Sequence, residues 1–361
     1  MIYLDYQATT PLAPEAREAM LPWLGGPEST GFGNPHSSHP LGREAEAAVE
    51  LARERVAALF PPGGTVVFTS GATEALNLAL RGCEPGRAGK PVAVSAIEHS
   101  AVLNTVLDLP GDTTILAVDR DGLVDPQVAL PAGVGIVSVM QVNNEIGTIQ
   151  PIADLYARTK AEGALLVCDA VQAAGKMPIA EADLIAISAN KFHGPKGIGA
   201  LWVRDGIALE PHTTGGGQEN GLRSGTLSPA LCAGMGAAAQ VAAERMDQDA
   251  AQIAALWNRA RELFAGWQLN GSAGQRYHGN LNIRRDGLDV GRLMSDVREV
   301  MFSAGSACAS ETGKPSRILA AIGLTQDQAK GSVRIGFGRY TTLEQLERAA
   351  VLIDAAAEQQ G

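Results

Sequence analysis

Two short apolar runs each end in a charged residue. Leu165-Leu166-Val167-Cys168 ends at Asp169, and Leu184-Ile185-Ala186-Ile187 ends near Ser188 to Lys191. A carboxylate at the end of an apolar strand is costly without a cation or several hydrogen-bond donors. The pair fits a simple ion pair. It equally fits the couple that a pyridoxal phosphate enzyme needs. There the carboxylate keeps the ring nitrogen protonated, and the lysine forms the Schiff base. Partial desolvation would lower the lysine's pKa and help it serve as nucleophile and base.

Further polar residues stand at the ends of other apolar runs. Ser70-Gly71-Ala72-Thr73 joins a strand-like run to a helical one. Free backbone N–H groups at such a turn suit an anion, with the Thr73 hydroxyl in support; an ordinary helix cap reads the same way. Gly-x-Gly-x-x-Gly at a strand-to-helix turn and the Walker pattern are both absent, which removes the common nucleotide folds. His99 opens a helix and could stack on a flat cofactor and handle protons. Asn144 and Gln172 are neutral donors at comparable positions. Arg339 follows a later strand and could clamp a carboxylate bidentately. Asn34, in Gly33-Asn34-Pro35-His36, carries a weaker signal.

The four cysteines form no Cys-x-x-Cys, which excludes zinc-knuckle and thioredoxin motifs. Cys168 and Cys232 lie in apolar runs and read as inert core thiols, and Cys83 as structural. Cys308 differs. It lies in a long run of small residues, Ser303 to Lys314, with no core pattern. That describes an accessible loop where a reactive thiol belongs. No metal site is expected, apart from a possible role for Cys308 as a cluster ligand.

These residues need a scaffold. Strands are expected at Thr65–Thr69, Val92–Ser95, Gly135–Met140, Leu165–Cys168, Leu184–Ile187 and Ala200–Val203, with helical patterns between them. Continuous apolar strands alternating with helices indicate an α/β fold with a mostly parallel sheet covered on both faces. Ligands in such sheets sit beyond the carboxyl ends of the strands, where the polar residues above fall. After about residue 245 the composition shifts. Gly279–Ile283 alternates like an antiparallel strand, Ser332–Ile335 reads as another, and a last helix covers Thr342 to Ala357. The expected organisation is a large domain over 15–245 and a smaller α+β domain over 1–14 and 246–361.

The chain has 361 residues, 45% hydrophobic and 19% charged, with a net charge of −10. Its length suits two domains. An acidic chain without a basic run is a poor candidate for nucleic acid or an anionic membrane. No apolar stretch reaches the length of a membrane-spanning helix, and residues 1–5 lack the pattern of a signal peptide. A cytoplasmic location is expected.

Taken together, the segments resemble the cysteine desulfurases of the class V aminotransferase family, in their NifS/IscS-like branch. The resemblance rests on Tyr3 to Pro11, Phe32-Gly33-Asn34-Pro35, Phe68 to Glu74, Glu98-His99, Val142 to Gly147 and Cys168 to Gln172. It continues through Lys191 with Gly194 to Gly197, Gly215 to Glu219, Arg223 to Thr226, Gly305 to Cys308 and Gly338-Arg339. These run in family order along nearly the whole chain.

The resemblance implies a pyridoxal 5'-phosphate enzyme of fold type I. Lys191 would be the Schiff-base lysine and Asp169 the ring-nitrogen partner. His99 would stack on the ring, and Asn144 and Gln172 would bond its oxygen. Ala72, Thr73 and Ser188 would hold the phosphate. Thr226 would reach the phosphate of a neighbouring subunit, implying a homodimer. Asn34 and Arg339 would hold the carboxylate of L-cysteine. Cys308 would take the sulfur as a persulfide and pass it to an acceptor such as an iron–sulfur scaffold protein. Asn190 departs from the pattern, because many relatives carry a His there. Two other readings are a related fold type I lyase, acting on selenocysteine or by β-elimination, and a sulfur-carrier subunit that needs a partner.

Overall fold

A computed structural model describes residues 1–83, 89–305 and 316–360. Among them is a seven-stranded sheet. From one edge its strands are Gly64–Thr69, Gly199–Arg204, Leu184–Ser188, Leu165–Asp169, Ile136–Ser138, Val92–Ser95 and Thr113–Leu116. The neighbours from Leu184–Ser188 to Thr113–Leu116 pair in parallel. Gly199–Arg204 is antiparallel to both of its neighbours. The edge strand Gly64–Thr69 therefore points the same way as the parallel set, and the carboxyl ends share one side.

Apart from the outer strand Thr113–Leu116, the strands are largely buried on both faces, as their Val, Ile, Leu and Ala content requires. Side chains alternate along them. Val67, Val94, Val167, Ala186 and Leu201 pack with Ala75, Leu76 and Ala79 of the helix Ala72–Gly82. Phe68, Ala93, Leu166, Cys168, Ile185 and Ile187 face the opposite layer, which includes Cys232 and Met235. The outer strand Thr113–Leu116 escaped the sequence reading because it is half-exposed and begins with two threonines.

The Ala- and Gly-rich stretch forms part of one helix of 35 residues, Pro229–Leu263. Ser228 caps it, with Pro229 in its first turn. Its small residues permit close packing. A Cβ on Gly236 would lie 2.7 Å from Ala52 Cα in the helix Pro40–Ala57. The domain boundary expected near residue 245 falls inside this continuous helix. Among the described residues no helix is long and apolar enough to cross a membrane.

A second sheet has four strands in the order Ser303–Ala304, Ser332–Gly336, Asn280–Arg284 and Gln268–Leu269, all antiparallel. The antiparallel strand expected at Gly279–Ile283 is present as Asn280–Arg284, and Asn280 to Ile283 are all buried. The polar face of this strand is turned inward, where Asn282 Nδ2 donates to the carbonyls of Glu145 (3.0 Å) and Gly305 (3.2 Å). The N-terminal segment joins the two sheets. Ile2–Tyr3 pairs with Val300–Met301, and Asp5 bridges to Gly336. The chain then crosses to the large sheet, where the N–H groups of Thr10 and Ala13 donate to the carbonyls of Asn190 and His193 (both 2.9 Å).

Gly199 is where the reversed strand meets the turn after Thr69. An added Cβ would lie 2.5 Å from Ile187 O and 2.7 Å from Gly71 Cα. Neither backbone atom can yield without moving a strand or the turn. Gly199→Ala should therefore destabilise the protein by about 1–3 kcal/mol. It should also weaken anion binding at Gly71 to Thr73. Thermal unfolding and phosphate titration of the variant check both effects.

Candidate active site

A cavity of about 380 Å³ opens at the shared carboxyl ends of the strands. Ala72, Thr73, His99, Asn144, Asp169, Gln172, Ser188 and Lys191 all line it. Eight residues predicted from widely separated segments thus meet at one place.

The turn at Ser70–Gly71 starts the helix Ala72–Gly82 at the cavity wall. The first N–H groups of a helix have no partner within it and favour an anion. Glu74 braces the turn by accepting from Ser70 N (2.7 Å) and Arg223 Nε (2.8 Å). Burial opposes its ionisation, but these bonds outweigh that and hold its carboxyl below the usual range. Ser188 faces the turn from the next strand but one and donates to Asn190 Oδ1 (2.9 Å). Asn190 Nδ2 in turn donates to Thr9 Oγ1 (3.3 Å). The unusual asparagine therefore links Ser188 to the N-terminal segment.

Asp169 ends its strand almost fully buried. Burial raises its pKa, while the nearby His99, the Val171 N–H and Lys191 pull the other way. Val171 N donates to Asp169 Oδ1 at 2.9 Å. His99 caps the helix Ser100–Leu107, accepting from Ala101 N through Nδ1 (3.1 Å). That bond places the proton of the neutral ring on Nε2.

Lys191 donates to the carbonyls of Gln7 (2.9 Å) and Ala8 (2.6 Å). Gln172 Nε2 shares the Gln7 carbonyl at 2.9 Å, and its Oε1 accepts from Lys176 Nζ at 2.9 Å. Both ends of the Gln172 amide are engaged in this way. Asn144 Oδ1 is buried without a hydrogen-bond partner among the described residues. An anion-binding turn, a buried carboxylate, an amine and an unpartnered amide atom suit a flat, polar-edged ligand bearing a phosphate.

The family model described as Aminotransferase class-V matches residues 2–349. The chain belongs to the class-V aminotransferase family. Among curated relatives, the protein named cysteine desulfurase IscS from Colwellia psychrerythraea (strain 34H / ATCC BAA-681) is 41% identical over 377 residues. The alignment covers 98% of this chain and 92% of that protein. Among solved structures, a NifS-like protein superposes with a TM-score of 0.90 at 29% identity, covering 99% of both chains. A structure described as SspA in complex with cysteine gives 0.82 at 32% identity, covering 95% of this chain and 100% of that one. The class-V fold accounts for the mostly parallel sheet and for the cavity at its carboxyl edge.

Not every residue expected at this class-V site lines the cavity. Asn34 is exposed, with Oδ1 accepting from His36 N at 2.9 Å. Thr226 is also exposed and lies outside the cavity of the single chain. Arg339 follows the strand Ser332–Gly336 and lines a smaller cavity together with Lys191, where its Nε pairs with Asp249 Oδ2 at 2.7 Å. Cys308 lies outside the described residues. Of the described residues on either side of its segment, Ser316 Oγ donates to Glu145 Oε2 at 2.6 Å, and Gly305 O accepts from Asn282 Nδ2, which also donates to Glu145 O.

The sequence reading missed Arg334. It lines the cavity, is only 1% exposed, and pairs with Asp5 Oδ1 at 2.8 Å. Its Nη1 donates to Asn144 O at 3.1 Å, and its buried Nε has no partner among the described residues. The signal was present, since strand alternation places Arg334 between the buried Val333 and Ile335 on the opposite face from them.

Glu98 sits behind Asp169. Its Oε1 accepts from Ser95 Oγ (2.6 Å) and Met140 N (2.7 Å). Burial first, and then the Asp169 charge, push its carboxyl up to about 8. The folded state therefore holds a proton that the unfolded state releases at lower pH. Stability from this group is full at low pH and declines as pH rises toward about 8. Glu98→Gln removes the titration. Its stability relative to the parent protein should rise by about 2–4 kcal/mol between about pH 5 and pH 8. Denaturant unfolding at several pH values checks this.

Proposed function

We infer that this chain is a cysteine desulfurase that works with pyridoxal 5'-phosphate. The observation that carries the reading is the convergence of Lys191, Asp169, His99 and the Gly71–Thr73 turn on one cavity that also holds Arg334. Family membership and the names of its relatives support it.

The bound cofactor supplies an electron sink for the charge left at the substrate Cα. The N–H groups of Ala72 and Thr73, with the Thr73 and Ser188 hydroxyls, would hold its phosphate. Asp169 would keep the ring nitrogen protonated. His99 would cover the ring, and the Asn144 side-chain NH₂ would donate to the ring oxygen. Gln172 would complete that edge with the second hydrogen of its Nε2, the first being held by the Gln7 carbonyl. Lys191 Nζ would hold the cofactor and serve as the base for the Cα proton of L-cysteine. Its two carbonyl partners, Gln7 and Ala8, orient the amine for both tasks.

We propose Arg334, which lines the main cavity, as a clamp for the substrate carboxylate beside Arg339, which shares the smaller cavity with Lys191; each keeps one unpaired nitrogen among the described residues. Cys308 takes the sulfur. The substrate Cβ–S bond breaks, an S–S bond forms at Cys308, and the carbon skeleton leaves as L-alanine. The persulfide sulfur then passes to an acceptor, which we take to be an iron–sulfur scaffold protein. Thr226 on its exposed loop suits a contact with a second copy, so a homodimer is the proposed assembly, and Asn34 is assigned to the substrate side of that closed site. The chain is proposed to act in the cytoplasm.

The purified protein should form L-alanine and sulfide in equal amounts from L-cysteine with reductant. Cys308→Ser should lose both products while keeping the yellow colour of the cofactor. A Cys308→Ser protein with full turnover would refute the assignment. Arg334→Lys should raise KM for L-cysteine about ten- to a hundredfold, since lysine cannot reproduce the fixed planar donors of the guanidinium. Arg339→Lys should change it less, since Arg339 does not line the main cavity. The reverse pattern in steady-state kinetics would make Arg339 the principal clamp.

A further inference from the structure

A second, much smaller cavity lies behind Lys191, and Lys176, Tyr277, Asp249 and Arg339 line it. Lys176 forms no ion pair among the described residues. Its Nζ donates to Gln172 Oε1 at 2.9 Å and lies 5.2 Å from the centre of the Tyr277 ring. A chain of hydrogen bonds runs from there to Lys191. Gln172 Nε2 donates to the Gln7 carbonyl at 2.9 Å, and Lys191 Nζ donates to the same carbonyl at 2.9 Å.

We infer that Lys176 is a positioning residue of the site, which through Gln172 and the Gln7 carbonyl sets the placement and the charge of Lys191. The inference rests on the reading of Lys191 as the cofactor lysine. An ammonium has donors only, so it fixes the carbonyl end of Gln172 toward itself and the NH₂ end toward Gln7. The remaining charges nearby do not neutralise it. Arg339 repels it, and Asp249 is taken by Arg339 (2.7 Å) and Arg245 (3.3 Å). His193, facing the same small cavity, is pushed down to about 4 by its own burial and by Arg339, so it adds no charge at neutral pH. Burial, with the Lys191 charge adding to it, lowers the Lys176 amine to about 7. Like charges disfavour one another, so protonation of one amine opposes protonation of the other.

The test is a spectrophotometric pH titration of the cofactor-loaded protein, following the visible band that reports the proton on the Lys191 nitrogen. Lys176→Met and Lys176→Gln both remove the charge, and the glutamine keeps a donor toward Gln172. Each should move the midpoint up by about one pH unit, a tenfold rise in proton affinity. Lys176→Arg keeps the charge and should stay within about 0.3 unit of the parent. An unmoved midpoint in the two neutral variants overturns the inference. So does failure of both to fold while Lys176→Arg folds, which would make the amine purely structural. Lys191→Ala separates this from the underlying reading. If that variant keeps the band unchanged, the cofactor assignment itself fails; if the band needs Lys191 and does not respond to Lys176, only the role of Lys176 fails.

Discussion

A carboxylate withdrawn from water is the constraint around which the site is built. Asp169 ends a strand whose other residues are apolar, and desolvation works against its charge. Three things offset that cost: the nearby imidazole of His99, the N–H of Val171 and the amine of Lys191. Each of these must itself be held. His99 is fixed by capping a helix, Val171 by the turn that leaves the strand, and Lys191 by two carbonyls of the N-terminal segment. Removing the aspartate would leave the amine and the imidazole facing one another without a counter-charge.

The sheet explains how such separated residues meet. One reversed strand, Gly199–Arg204, allows the edge strand Gly64–Thr69 to point the same way as the parallel set. Its terminal turn then reaches the side of the sheet where Asp169 and Lys191 emerge. Gly199 permits the contact, since any side chain there would strike Gly71. The smaller sheet contributes from across the cavity. Its buried Arg334 is held by Asp5 and by the carbonyl of Asn144, so the two sheets are joined through charged and polar groups that also line the cavity.

Much of this was legible in the sequence. Strands of the parallel sheet are short apolar runs, and each polar residue that follows one marks a strand end. Asp169, Lys191, His99 and the Ser70–Thr73 turn were found from that pattern alone. The smaller sheet was harder to read. The alternation of Asn280 to Ile283 marks the strand but does not tell that its asparagines face inward, because a polar side chain on a buried face needs tertiary partners such as Glu145 O. Arg334 and Arg339 lie five positions apart and both follow apolar residues, and only the tertiary packing separates them. One lines the main cavity, and the other shares the smaller cavity with Lys191 and meets Asp249 there. The linkage of Lys176 to Gln172 was equally hidden. It depends on a turn four residues long and on the Gln7 backbone, which no local pattern specifies.

The N-terminal segment also bears on how the protein is made. Ile2–Tyr3 pairs with Val300–Met301, and Asp5 meets Gly336 and Arg334. These partners lie far along the sequence, so the segment around residues 2–5 cannot find its place until they have been made. Contacts of such sequence separation form late, because the loop they close carries a large entropic cost. The carbonyls of Gln7 and Ala8 belong to that same segment. The pocket around Lys191 is thus among the last parts of the molecule to be finished, and a nascent chain with its large sheet already folded has no complete site to fill.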